Sequence, residues 1–464
     1  MNIRHKNVYK IIWAVLFAIF SLTVSGCSTT KEGESPFNNI LNSLGLSQNQ
    51  QTADTNSGNL KFSGSAAVTA APVTGTESPI EAAATETPLP TPTSYNILLW
   101  VPPAFDVDQD TKAGKALEDL IKTYIGDHPN VNIHIRVKAT GGDSSMINTL
   151  TTASHVAQDV LPSLALISRS DMETAVQRNL ILPLETEVFS DNDSWYNFAR
   201  QSAAVDSTIY GIPVAGDGLI LTYKTAKTGT ELGDWQDILT RGLPIGFAPS
   251  SSTSLFGLFV YMSLGGKITN DQGQPYLDQQ KLFDTLNFFL TGGQNGAFPP
   301  AIAQLVDQSQ VWQRFNDGTL SIIVSNLSGY RHYQDPDLSL RTLPLAEGVT
   351  EYPLINTWNL VVLEENPTIQ PEVIRFAEYF SDKNVNDAFS SAAGFLPVRN
   401  SEHKTWSEDP QFGMVQSMSE KGLLIPNSQI TNKIIPIINN AVVQVIKNQM
   451  SPEDAAKEAI TSLN

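Results

Sequence analysis

The sequence predicts an α/β fold, and three stretches carry that reading. YNILLWV (95–101) is a continuous apolar run, the pattern of a strand buried on both faces. Leu117, Leu120, Ile121, Tyr124 and Ile125 recur at helical spacing along one face of 111–126. VNIHIRV (131–137) places Val131, Ile133, Ile135 and Val137 at the two-residue period of a strand. A helical segment to about Ala157, a strand over LPSLALIS (161–168) and a helical ETAVQRNLI follow. The order β-α-β-α-β predicts a mostly parallel sheet with crossover helices.

Ahead of this region the chain has a different character. Arg4, Lys6 and Lys10 precede the apolar run IIWAVLFAIF (11–20), and small residues then lead to Cys27. These are the charged, apolar and cleavage parts of a signal peptide. The apolar run is short of the roughly 20 residues that span a bilayer. Val24-Ser25-Gly26-Cys27 resembles the bacterial lipobox. The resemblance implies that 1–26 is a lipoprotein signal peptide and that Cys27 carries acyl chains such as palmitate. The protein would then be held at the extracytoplasmic face of the cell membrane. Each buried acyl CH₂ contributes about 0.8 kcal/mol to such an anchor. Cys27 is the only cysteine, which excludes disulfides within the chain and any cysteine-based zinc or iron–sulfur site.

Residues 27–94 read as the lipidated cysteine and a disordered tether. Of the 32 residues 63–94, 25 are Ser, Thr, Pro, Ala or Gly and none is aromatic. Such a segment cannot bury enough apolar surface to offset its ordering entropy. Pro88, Pro90 and Pro92 stiffen its end, and as a coil it reaches roughly 45 Å. A short helix around Ile40–Leu46 is a further expectation.

Composition and motifs narrow the function. The net charge of −18 repels phosphates, so no nucleic-acid partner is expected. The six histidines, His5, His128, His134, His155, His332 and His403, form no close metal-binding pair. GxSxG and GxxxxGK[ST] are absent as well. No cofactor or metal is expected, and no catalytic residue is assigned. A glycoside hydrolase needs only two carboxylates and so stays open as an alternative.

In parallel α/β sheets ligands bind beyond the carboxyl ends of the strands. The candidates there are Phe105 after the first strand, the loop Gly141–Ser145 with Gly142 and Asp143 after the second, and Ser168 to Asp171, with Arg169, after the third. Downstream, IYGIPVAGDGLILTYKT (209–225) sets Gly216-Asp217-Gly218 between two apolar runs. A dinucleotide fingerprint needs a third glycine and a following helix, and LILTYK is β-rich. The stretch is therefore read as a strand, a glycine kink and a second strand.

Tyr210-Gly211-Ile212-Pro213 with the strand ending Leu221-Thr222-Tyr223-Lys224 resembles the signature of bacterial extracellular solute-binding proteins of the maltose type, the capture components of ABC importers. Four further stretches agree in order: 254–278, 315–330, 366–399 and 451–464. The resemblance covers about 95–464. It implies two α/β lobes joined by crossing strands, each a mostly parallel sheet flanked by helices, with ligand in the cleft. Lobe one would be about 95–212 with 350–380, and lobe two about 216–342 with 385–464. Gly216 and Gly218 would be hinge positions, with 343–360 the return crossing. Asp217 would face the cleft floor.

The resemblance also implies a monomer that captures a small solute, most readily a sugar or oligosaccharide, and delivers it to ABC permease subunits. Sugar binders of this type place a Trp after the strand at 320–324; this chain has Asn326 and Tyr330 there and no Trp. Trp358, Asn359, Phe395 and Arg399 complete the candidate ligand set. The missing Trp leaves an unusual sugar, a polyamine or a peptide open as ligand. It also leaves open a lipoprotein scaffold or sensor that serves a protein partner.

Overall fold

Burial orders the sheet, with the most apolar strands at its centre. The computed structural model describes residues 94–463, apart from 158–159, 186, 188, 191–193, 230, 334, 346–351 and 407. The expected signal peptide, Cys27, the helix at 40–46 and the tether up to 93 lie outside the described residues. The strands are β1 Tyr95–Val101, β2 Val131–Val137, β3 Leu164–Ser168, β4 Ala204–Val205, β5 Thr208–Ile209, β6 Gly211–Lys224, β7 Ile245–Gly246, β8 Ile322–Asn326, β9 Leu338–Thr342, β10 Leu354–Val362 and β11 Leu423–Leu424. Nine of them form one sheet in the order β2-β1-β3-β10-β6-β8-β7, with β11 on β10 and β9 on β6.

β1 and β2 match their predicted bounds, because Pro102 ends the first run and Asn130 precedes the second. Helix Lys112–Asp127 buries Leu117, Leu120, Ile121 and Tyr124, and the Thr111 side chain caps it by accepting from Gly114 N–H at 3.0 Å. β3 starts only at Leu164, beyond Pro162, and Ser168 then caps helix Arg169–Gln177. The pairings of β1 with β2 and β3 are parallel, as is that of β7 with β8. At the centre β6 and β10 run antiparallel to each other and to their other main neighbours, as chain crossing between two lobes must.

The crossing itself departs from the predicted kink. β6 is one continuous strand of 14 residues, and every residue from Gly211 to Tyr223 is buried. Residues 211–218 pair with β10, while 219–224 pair with β8 and β9. Gly216 and Gly218 take no positive φ. Their missing side chains make room instead: a Cβ on Gly216 would come 2.8 Å from the Phe198 ring, and one on Gly218 would come 2.2 Å from Met418 Cε. A register shift opposite Trp358/Asn359 leaves Val214 as an extra residue next to Pro213, which has no N–H to give. The buried Asn386 amide donates to the Val214 carbonyl at 2.7 Å.

Two apolar cores flank this strand. One joins β1, helix Lys112–Asp127 and the first half of β6; the other joins the second half of β6 with β8 and helices Phe256–Ser263, Gln279–Gln294 and Ser428–Ile446. The lobe boundary expected at 380–385 falls elsewhere. Phe389, Phe395, Leu396, Val398, Trp406, Val415 and Met418 all pack in the first core. Leu396 exchanges hydrogen bonds with Gly216, at 3.0 and 2.7 Å, and this docks the segment against the first half of β6.

Since the Phe198 ring is buried and stiff whereas Met418 ends in a flexible thioether, Gly216→Ala is expected to cost about 1–3 kcal/mol and Gly218→Ala less. Denaturant unfolding of the two variants measures this; equal costs would refute the close-packing role of Gly216.

Candidate functional site

β6, β8 and β10 form the floor of a cavity of about 490 Å³ between the two lobes. Leu219, Val324, Asn326, Asn356 and Trp358 come from these strands. Strand alternation puts Asn356 and Trp358 on the cavity face, while Thr357 and Asn359 are buried on the other. Trp358 is half-buried, and the Phe105 ring meets it edge-on at 5.4 Å. This fixes the indole as an apolar wall.

Lobe one contributes Ser168, Arg169, Ser170, Asp171 and Glu173 from the start of helix Arg169–Gln177. Ser168 Oγ accepts from Asp171 N–H at 3.1 Å. Burial raises the Asp171 carboxyl above its usual range. Arg169 Nε donates to Glu173 Oε1 at 2.8 Å, so these two charges are spent on each other.

Lobe two contributes the hydroxyl run Ser251-Ser252-Thr253-Ser254 ahead of helix Phe256–Ser263. The buried Asn439 shapes that run, its amide donating to Ser251 O at 2.9 Å and Ser254 O at 3.0 Å. Ser428, Thr431 and Asn432 from the first turn of helix Ser428–Ile446 close the wall. The cavity thus offers hydroxyls, amides, one indole face and the Asp171 carboxyl, with Arg169 and Glu173 paired. It is suited to an uncharged ligand that alternates hydroxyl groups with C–H surface. Among the described residues no group of three or more His, Cys, Asp or Glu is placed to hold a metal ion.

Of the candidates from sequence, Ser168, Arg169, Asn326 and Trp358 line this cavity together. Asp217 lies behind the lining. Its carboxylate accepts from Asn326 Nδ2 at 3.3 Å, Ser328 N–H at 3.1 Å and Ser328 Oγ at 2.6 Å. It therefore orients Asn326 toward the cavity. Burial pushes the Asp217 carboxyl up to about 6, against the opposing pull of those hydrogen bonds.

The others lie off the cavity wall. Phe105 and Phe395 stack on each other at 5.3 Å in the core, because the proline turn Pro103–Phe105 directs the ring inward. Asn359 is buried and accepts from Ser202 Oγ at 3.1 Å. Arg399 is buried over the Trp195 ring and donates to Ser194 Oγ at 2.7 Å. Tyr330 OH joins Gln411 to the Leu338 carbonyl. Gly142 and Asp143 sit in an exposed turn, beside Thr140, which does line the cavity. The sequence reading missed the 251–254 run, Asn356 and the start of helix Ser428–Ile446. The run of five consecutive hydroxyl residues at 250–254 was the visible signal.

The family model for bacterial extracellular solute-binding proteins matches residues 119–414. No curated protein matches the chain. Among solved structures, the cyclic alpha-maltosyl-1,6-maltose binding protein of Arthrobacter globiformis is similar with a TM-score of 0.65 at 14% identity, over 80% of this chain and 98% of that one. Maltose-bound MalE3 of T. maritima is similar with a TM-score of 0.64 at 14% identity, over 79% and 98%. An ABC transporter solute-binding protein of Agrobacterium radiobacter K84, in complex with ribitol, is similar with a TM-score of 0.60 at 17% identity, over 80% and 98%. At such identities these likenesses show the fold, a two-lobed α/β architecture.

The raised carboxyl of Asp217 makes stability depend on pH. Its folded value, about 6, lies above the ordinary value of about 3.9. The stability linked to its proton is therefore complete below pH 4 and lost as pH rises through 6. Asp217→Asn is expected to gain on the wild type by on the order of 2–3 kcal/mol between pH 4 and 7.5. Denaturant unfolding of both proteins across that range measures it, and parallel pH curves would contradict it.

Proposed function

Because the chain belongs to the bacterial extracellular solute-binding proteins, we propose that it captures a neutral carbohydrate or polyol for an ABC importer. Ligand enters the interlobe cavity, and the lobes close over it. The closed form then docks on a permease. The acylated Cys27 and the tether would keep the protein at the extracytoplasmic membrane face; among the described residues no helix is long and apolar enough to cross a membrane.

The observation that carries this reading is the shared lining of the cavity: the Trp358 indole at the floor, with hydroxyl and amide side chains from both lobes around it. Sugars present axial C–H faces that pack on an aromatic ring, and hydroxyls that need partners on several sides. Hydroxyls contributed by both lobes favour the closed form, since a ligand can engage both sets only when the lobes approach. Closure would turn on the crossing strands near Gly216 and Gly218. The sugar and polyol ligands named for the similar solved structures, maltose and ribitol, agree in chemical class.

A thermal-shift screen of the purified protein against mono- and oligosaccharides, polyols, polyamines, amino acids and peptides tests the reading. A ligand at 100 times its Kd adds about 2.7 kcal/mol to the folded state. Carbohydrates or polyols are expected to respond and the other classes to stay silent. Trp358→Ala is expected to weaken binding of the responding compound about tenfold, or about 1.4 kcal/mol. Unchanged affinity in titration calorimetry would remove Trp358 from the site.

A further inference from the structure

We propose that Glu173 is a specificity-determining residue, seating its own carboxylate where an anionic ligand group would otherwise bind and so keeping anions out of the cavity. The proposal rests on the reading of this cavity as the ligand site.

Three groups meet on the cavity wall. Glu173 Oε1 accepts from Arg169 Nε at 2.8 Å, and Oε2 accepts from Ser428 N–H at 2.6 Å. Ser428 opens the 19-residue helix Ser428–Ile446, whose N-terminus carries a partial positive charge. Arg169 belongs to lobe one and Ser428 to a helix of the lobe-two core, so the carboxylate also bridges the lobes. A guanidinium facing a helix N-terminus is an anion seat by its chemistry.

The seat does not depend on Glu173 for its shape. Arg169 Nη1 donates to Ser202 O at 2.8 Å and also to Ala204 O, so backbone carbonyls hold the guanidinium in place. Glu173 is only 2% exposed, and it sits among the residues that line the cavity. A dissolved anion must displace a carboxylate tethered at high effective concentration. Asp171, on the same wall, adds a second negative group against it. The hydroxyls, amides and indole are left for uncharged ligands.

The experiment uses inorganic sulfate and glucuronate as probes on the wild type, Glu173→Ala, and the double variant Glu173→Ala/Arg169→Ala. Thermal midpoints are read against chloride at equal ionic strength, and affinities by titration calorimetry. The wild type is expected to show no saturable response to either anion. Glu173→Ala is expected to bind sulfate at least tenfold more tightly than the wild type, and sulfate but not chloride should restore its midpoint. The double variant should lose that gain.

A folded Glu173→Ala without sulfate binding would overturn the proposal, as would a wild type that binds sulfate equally well. Glu173→Ser, which vacates the seat while keeping a polar side chain, covers poor folding of the alanine variant. Failure of sulfate to stabilise either variant would also overturn it. The receptor reading fails separately, by silence of the wild type toward every sugar and polyol, and that result leaves the sulfate comparison readable.

Discussion

The structure depends on one strand that belongs to both lobes. The first half of β6 completes the sheet of lobe one and its second half completes the sheet of lobe two. Because it is buried along nearly its whole length, neither core can form without it. Unsatisfied backbone groups inside a protein are costly, and β6 is served accordingly. β10 pairs with it on one side, Leu396 pairs with Gly216, and Asn386 takes the carbonyl of the extra residue Val214. The chain segment around 386–398 is thus committed to lobe one by hydrogen bonds that β6 requires.

The cavity follows from the same strand. Floor residues of a shared sheet are placed identically for both lobes, so only the walls differ in origin. The lobe-one wall is the start of helix Arg169–Gln177, and the lobe-two walls are the 251–254 run and the start of helix Ser428–Ile446. Polar groups behind the lining hold it in shape: Asp217 orients Asn326, and Asn439 holds the hydroxyl run. A site of uncharged donors and acceptors needs such support, because its selectivity lies in their placement.

The fold was legible where burial writes itself into local pattern. YNILLWV and VNIHIRV are strands at their predicted bounds because local signals, Pro102 after the first and Asn130 before the second, mark where they end and begin. The kink expected at Gly216 and Gly218 is absent, because glycine marks either a turn or a close approach. The decider is a ring at Phe198 and a thioether at Met418, and the latter is far along the chain. In the site, Ser168, Arg169 and Asn326 were legible as residues at or next to strand ends, and Trp358 as an aromatic on the return strand. Phe105, Phe395, Asn359 and Arg399 have the right chemistry but the wrong facing, which is set by partners that local pattern does not reveal. The hydroxyl run at 250–254 reads as an ordinary loop until the helix behind it is known.

The most direct test of the account is hydrogen exchange at the cavity walls, with and without the carbohydrate or polyol that stabilises the protein. If ligand bridges the lobes, amides of 168–171 and of 251–255 gain protection together, at the same ligand concentration. Protection confined to one wall, or located away from the cavity, would contradict capture between the lobes.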